Sequence, residues 1–359
     1  MKTRWPVPTS PGLPRTNLLF PVFLGLAHGV ADGSAGLLLG HLPESRPELQ
    51  VAWLVLLYNA LGFGGQPLVA WFADHFRFNR WCAIGGLLSL AFALSPVTAG
   101  QPLLAVILAG CGSAAFHVGA GALTLLACDR KADGAGLFAA PGVVGLGIGG
   151  SLAVTNHFVP APFCLLLVAL SVGICFWPIR AALAPASRTA KEPCFEAHDW
   201  IMIGLLAAIA LRSLIWTAFQ FALAGQVQNL LYLALAAGIG KIAGGFLAER
   251  FGYRRWTLIA FCLAAPLLAF AGKRLALLIP GVALLQSTIP CSLAAFAQIL
   301  PARPALATGM VFGLAVVLGG LPSFFTDPGN LVAPVAVLLV LLFAGLCFWH
   351  AIGVRRSVA

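Results

Sequence analysis

Trp71-Phe72-Ala73-Asp74-His75-Phe76-Arg77-Phe78-Asn79-Arg80-Trp81 and Phe246-Leu247-Ala248-Glu249-Arg250-Phe251-Gly252-Tyr253-Arg254-Arg255-Trp256 are two versions of one segment. Each places an acid after an apolar run, follows it with a basic cluster and closes on tryptophan. Each also lies between the second and third apolar stretches of its half of the chain. Self-similarity at this spacing divides the chain into two related halves.

Working outward from these segments, polar and Pro/Gly-marked breaks put apolar spans at roughly 18–90 (three), 102–127, 134–156 and 160–180. Beyond the polar stretch Arg188 to Asp199, a second series runs at roughly 200–225, 228–248, 256–272, 275–299, 306–326 and 331–352. The expected fold class is an all-α integral membrane protein with twelve transmembrane helices in two six-helix pseudo-symmetric halves. Its parts are an N-terminal half 1–180, a cytoplasmic linker 181–199 and a C-terminal half 200–359.

Composition supports the same class. With 60% hydrophobic and 9% charged residues and a mean hydropathy of +0.96, there is too little polar surface to coat a water-soluble globule. In lipid every backbone amide must be satisfied within its own element, so apolar runs of about 20 residues mean helices. The short alternating segments of a barrel are absent. The first apolar run begins near Asn17 and is followed directly by others, so no cleaved presequence is expected. The net charge of +10 sits in short loops rather than on one basic face, which excludes a nucleic-acid partner.

Placing both termini and the linker in the cytoplasm assigns sixteen of the 21 Lys and Arg residues to that side, among them Lys2, Arg77, Arg130, Arg188, Arg254 and Arg356. Arg46, Lys273 and Arg274 fall outside, and Arg212 and Lys241 lie within spans. The positive-inside rule is satisfied. The nine cysteines include no C-x-x-C pair and fall mostly in apolar runs, so they read as small buried hydrophobes rather than a disulfide framework or a metal site.

Gly245-Phe246-Leu247-Ala248-Glu249-Arg250-Phe251-Gly252-Tyr253-Arg254-Arg255 resembles the loop signature G-x-L-a-D-r-x-G-x-R-R of the major facilitator superfamily, with Glu for Asp. The earlier copy departs from it at Ala70, in place of the leading glycine, and at Arg77, in place of the inner one. The resemblance implies the major facilitator fold, with a site at the bilayer midplane between two halves. It also makes Asp74, Arg77, Arg80, Glu249, Arg250, Arg254 and Arg255 a conformational latch. Each acid is expected to cap a neighbouring helix N-terminus and to pair with arginines in one transporter state only.

Within that superfamily the N-terminal half resembles the fosmidomycin-resistance group of efflux proteins. The likeness rests on His28, Asp32, Tyr58, Gln66-Pro67-Leu68-Val69, Asp74 and Gly112-Ser113-Ala114-Ala115-Phe116-His117. Gly136-Leu137-Phe138 with Gly142, Gly145 and Gly149 is similar to that group's glycine-rich fifth helix, and Arg212-Ser213 to a pair in its seventh. Where the group has Pro-Glu after Phe-His, this chain has Val118-Gly119, so an embedded carboxylate is missing. The resemblance implies proton-coupled efflux of a small organic solute, anionic or amphipathic, by a monomer in the bacterial inner membrane.

An ionisable side chain in mid-span costs about 2.5–3.5 kcal/mol on insertion scales, which makes such residues functional candidates. Asp32 is the only acid deep in a span, and His28 lies one helical turn before it. His117, Tyr58 and Arg212 complete the expected substrate- and proton-binding set. Arg212 has two readings: a state-dependent pair with Asp32 across the halves, or a contact to an anionic ligand. Lys241 reads as a residue able to snorkel from two turns inside its span. Gly142, Gly145 and Gly149, with Pro141, are expected to let helices approach closely and bend. No phosphate-cradling or catalytic motif occurs, so no enzyme activity and no cofactor is expected, and any driving energy comes from a gradient. The alternatives are an uncoupled facilitator, a divalent metal-ion carrier using His28, Asp32 and His117, and a membrane-embedded enzyme.

Overall fold

The structure, a computed structural model, describes residues 18–45, 47–98, 100–155, 157–178 and 195–358. Most of the expected linker 181–199, with Arg188, and the N-terminal segment, with Lys2, lie outside the described residues, as does Arg46. Besides two short helical turns at Pro96–Thr98 and Pro328–Leu331, the described residues form twelve main helical stretches. In the first half these are α1 (Leu19–Ser45), α2 (Glu48–Phe76), α3 (Asn79–Ala93), α4 (Pro102–Ala127), α5 (Ala132–Val154) and α6 (Pro160–Phe176). The second half has α7 (Phe195–Ala222), α8 (Val227–Phe251), α9 (Tyr253–Ala269), α10 (Leu275–Ile299), α11 (Pro304–Phe325) and α12 (Pro334–Val358). Nine of them are long and apolar enough to cross a membrane. The other three, α3, α6 and α9, are 15, 17 and 17 residues long.

Several boundaries follow from proline. Pro102, Pro160, Pro304 and Pro334 each open a helix, where a fixed φ is pre-organised and the missing N–H would have had no partner. α7 starts at Phe195, earlier than the expected 200, and so takes residues from the linker.

Three spans are interrupted, two of them where proline removes a helical donor. α2 loosens into a π turn over Ala60–Gly64, just before Pro67. α10 pauses at Ser287, within four residues of Pro290. α11 carries a second π turn over Gly309–Leu314. The two π turns face each other across the halves, with Gly313 packed against the Phe63 carbonyl and Gln66 and Gly309 against Gln66 and Ala70.

Within the first half α1 packs along α5 and α3 along α4; within the second, α9 packs on α12, α7 on α12 and α11, and α8 on α10. The halves meet where α5 lies against α8 and where α2 and α4 lie against α11. Glycine makes the α1–α5 seam possible. A methyl group added at Gly145 would lie 1.9 Å from the Gly29 carbonyl oxygen, and one at Gly149 would lie 1.9 Å from that of Gly33. α5 runs as α-helix through Gly142, Gly145 and Gly149, and the last two lie at its close approach to α1.

Candidate functional site

Three ionisable side chains from two helices converge at the middle of the first half. His28 and Asp32 come from successive turns of α1, and His117 comes from α4. The two histidines are each 4% exposed, so water cannot satisfy them. His28 Nδ1 donates to the Phe138 carbonyl at 2.9 Å, and His117 Nδ1 donates to the Ser113 carbonyl at 2.7 Å, with the Ser113 hydroxyl 3.2 Å away. A carbonyl only accepts, so both Nδ1 atoms carry hydrogen and exchangeable protons are confined to the Nε2 atoms.

The Nε2 atoms lie 2.9 Å apart. Asp32 reaches both, with Oδ2 3.2 Å from His28 Nε2 and Oδ1 3.3 Å from His117 Nε2. Two bare lone pairs at that separation beside a carboxylate repel one another. One proton held between the rings turns the contact into a charge-assisted hydrogen bond and gives Asp32 a counter-ion.

The surroundings bury the two histidines and align the trio, while the Asp32 side chain keeps 17% exposure. Phe138 stacks on the His28 ring at 4.6 Å, while Phe116 and Phe312 stand at 6.0 and 6.5 Å. Phe312 comes from the π turn of α11, so the second half supplies one wall of a site carried by the first. Tyr58 is buried beside Ser113 and within electrostatic reach of Asp32. Gly142 makes room for His28: a methyl there would sit 2.4 Å from His28 Nε2. The same three residues offer donor atoms all within 4.8 Å of one another, a spacing open to a metal ion.

Arg212 does not pair with Asp32. It is 4% exposed on α7, where Nη1 donates to Gln286 Oε1 at 3.0 Å and Nη2 donates to the Ser213 hydroxyl at 2.8 Å. Its Nε has no hydrogen-bond partner. Asp32 is already engaged by the histidines, and the α10 interruption at Ser287 places Gln286 before the guanidinium. Lys241 does not snorkel either. It reaches from α8 across to α5 and donates to the Ala139 carbonyl at 3.1 Å, next to the carbonyl that holds His28. It lies within electrostatic reach of Arg212 and Asp32. Of the aromatic positions in the sequence, Trp53 points outward at 65% exposure.

At the other end of the helices the repeated segments bridge the halves reciprocally. Asp74 Oδ1 and Oδ2 accept from the Ala305 and Leu306 amides at 3.1 and 2.8 Å, capping α11. Glu249 accepts from the Ala132 amide at 2.7 Å, capping α5, and from the Tyr253 hydroxyl at 2.6 Å. Each half thus neutralises a helix N-terminus of the other.

The expected pairing of these acids with arginines is absent among the described residues. Both acids accept from helix-end amides, Glu249 also from a hydroxyl, and two of the arginines find carbonyls instead. Arg80 donates to the carbonyls of Ile174, Cys175 and Trp177 at the C-terminal end of α6. Arg254 donates to the Trp349 carbonyl at 3.1 Å and stacks over its ring at 3.6 Å. Arg250 lies over Phe251, while Arg77 and Arg255 are exposed. Arg77 takes a left-handed backbone (φ 59°) at the position equivalent to Gly252. Arg130, from the α4–α5 connection, adds a cross-half contact to the Pro301 carbonyl at 2.8 Å.

Ser113, Phe138, Gln286 and Phe312 were not legible as site residues. Gln286 had one usable signal, a polar amide inside an apolar run; Phe138 acts through its carbonyl and through a ring stacked on His28, and a phenylalanine in an apolar run signals neither.

No family model matches the sequence, and no curated protein does. Solved structures do. The major facilitator superfamily transporter FucP in its outward conformation aligns with a TM-score of 0.66 at 14% identity over 95% of this chain and 98% of that one. A variant of the E. coli fucose:proton symporter FucP aligns with a TM-score of 0.63 at 15% identity, over 95% and 98%. The human organic anion transporter MFSD10 (TETRAN) gives 0.63 at 16% identity, over 96% and 99%. The chain therefore has the major facilitator fold over nearly its whole length.

Proposed function

We propose that this chain is a secondary transporter that moves a small organic solute by alternating access, with His28, Asp32 and His117 as its proton-carrying group. The observation that carries the proposal is the 2.9 Å contact between two Nε2 atoms whose other nitrogens already donate to carbonyls. That arrangement binds one proton well and balances it with Asp32. It also stands where the α11 π turn of the opposite half closes over it, so loading the proton and moving the halves act on the same contacts. On this reading the missing glutamate after His117 is no obstacle to coupling, because the histidine pair is itself the proton acceptor.

The Asp74 and Glu249 caps hold the cytoplasmic ends together in the outward-facing state of this reading. Both termini then lie in the cytoplasm, and the protein works as a monomer in the bacterial inner membrane. The fold, shared with a fucose:proton symporter and an organic anion transporter, supports a transporter over a membrane-embedded enzyme. Export in exchange for protons rests on the sequence resemblance to the fosmidomycin-resistance group.

A divalent-cation carrier is the second reading, favoured by the spacing of the three donors. Two bases in electrostatic contact with the cluster, Lys241 directly and Arg212 through it, oppose a dication there. The test is flux into proteoliposomes under an imposed pH gradient, with fosmidomycin, organic anions and Zn2+ as solutes. Acceleration of an organic solute by the gradient, lost in Asp32→Asn at equal folded yield, is the expected result. Gradient-independent flux in both proteins, or transport of Zn2+ alone, overturns it.

A further inference from the structure

Among the described residues, the interior of the spans carries more positive charge than its one acid balances. Among the described residues Asp32 is the one acid deep in a span, and both histidines already contact it. Arg212 and Lys241 remain, one held by a neutral amide and a hydroxyl, the other by a single carbonyl. Lys241 lies within electrostatic reach of Arg212, which opposes its charge, and of Asp32, which favours it, so two cations and the histidine pair share a single acid. Arg212 is buried and Lys241 half-buried, and positive charge withdrawn from water without its own counter-ion is costly, because neutral partners satisfy donors without removing it. Arg212 also keeps an unused, fully buried Nε–H.

We infer that Arg212 and Lys241 together form an anion-binding site, and that the solute carries an acidic group (carboxylate, phosphonate or phosphate ester) that supplies the missing negative charge. Lys241, which sequence reasoning placed as a snorkelling side chain, is thereby a substrate-binding residue. The site gains its meaning from alternating access. Lys241 belongs to the second half and rests on the Ala139 carbonyl of the first, adjacent to the carbonyl that orients His28. An anion that draws Lys241 toward Arg212 takes it off α5 and disturbs the backbone holding the proton site. Anion binding and proton release are then linked through two neighbouring residues, Phe138 and Ala139. This inference rests on the transport reading for its purpose, but its chemistry is tested by binding alone.

The experiment uses the full chain in lipid nanodiscs at fixed ionic strength. Thermal unfolding of wild type, Arg212→Gln and Lys241→Met is followed with methylphosphonate, benzoate and inorganic phosphate. Fucose and tetraethylammonium serve as neutral and cationic probes. Without ligand, Lys241→Met removes an uncompensated charge and is expected to unfold a few degrees higher than wild type, by roughly 2–4 °C. A lysine whose role is to tie α5 to α8 would leave the variant less stable, and that result overturns the proposal. With ligand, at least one of the three anions is expected to raise the wild-type midpoint, and both variants to lose most of that rise. Stabilisation by fucose or tetraethylammonium only, by none of the anions, or by an anion equally in all three proteins refutes the site. Anion binding without any solute flux would leave this inference standing and remove the transport reading. Flux of a neutral solute without anion binding would do the reverse.

Discussion

Substituting alanine at two glycines one turn apart on α5 should separate the roles of the α1–α5 seam and the proton site. At Gly145 the new methyl lies 1.9 Å from the Gly29 carbonyl oxygen and 2.6 and 2.8 Å from the carbonyl carbon and Cα behind it. Ordinary contact is about 3.4–4 Å, and backbone cannot rotate aside, so the helices must part by roughly 1.5 Å. Such overpacking costs about 1–3 kcal/mol. Replacing a mid-helix glycine returns only about 0.5–1 kcal/mol. A net loss of about 1–2 kcal/mol is expected for Gly145→Ala.

At Gly142 the obstacle is a side chain. The methyl lies 2.4 Å from His28 Nε2 and 2.6 Å from both adjacent ring carbons. The imidazole can yield by about 1 Å, which breaks its 2.9 Å contact with His117, so the clash is largely relieved and the helix-propensity gain of roughly 0.5–1 kcal/mol offsets the remainder. Gly142→Ala should therefore unfold within about 1 kcal/mol of wild type while losing pH-gradient-driven flux. Stability would be read by denaturation in nanodiscs and coupling in proteoliposomes. Equal destabilisation of the two variants, or full coupling in Gly142→Ala, would refute the reasoning.

Removing either acid of the cross-half caps should act on the conformational equilibrium more than on folding. Asp74→Ala frees the Ala305 and Leu306 amides, a loss of about 0.5–2 kcal/mol specific to the closed cytoplasmic side. Glu249→Ala should do the same through Ala132, and cysteine labelling near the caps should rise in both and most in the double variant. Unchanged labelling would count against the latch. Arg77→Gly relieves a left-handed conformation that costs an L-residue roughly 1–2 kcal/mol, offset in part by the entropy of glycine. That variant should be at least as stable as wild type, whereas a loss above about 1 kcal/mol would mean that the Arg77 side chain has a role its exposure does not suggest.

The architecture was legible because its causes are local and repeated. Apolar length, prolines at helix starts and the duplicated acid-and-arginine segment each report on a few consecutive residues. The acids were readable as caps for the same reason. What the arginines hold was not readable, because backbone carbonyls at helix ends leave no mark on sequence. His28, Asp32 and His117 were found one by one as polar residues in apolar runs; their convergence depends on the registry of α1 against α4. That registry is set partly by glycines that look like ordinary small residues. The missed contributions follow the same division. Phe312 reaches the site through a π turn that shifts the α11 face, and Lys241 was misread because its distance from the helix end suggested snorkelling while its actual acceptor lay on α5.

The central claim, one proton held by a buried histidine pair, is open to 15N NMR of the histidine-labelled protein in nanodiscs across neutral pH. Assignment would come from His28→Gln and His117→Gln. The account predicts protonated Nδ1 atoms on both rings and a single proton shared by the two Nε2 atoms, lost when Asp32 is replaced by Asn. Two independent neutral rings with bare Nε2 atoms, indifferent to Asp32, would contradict it.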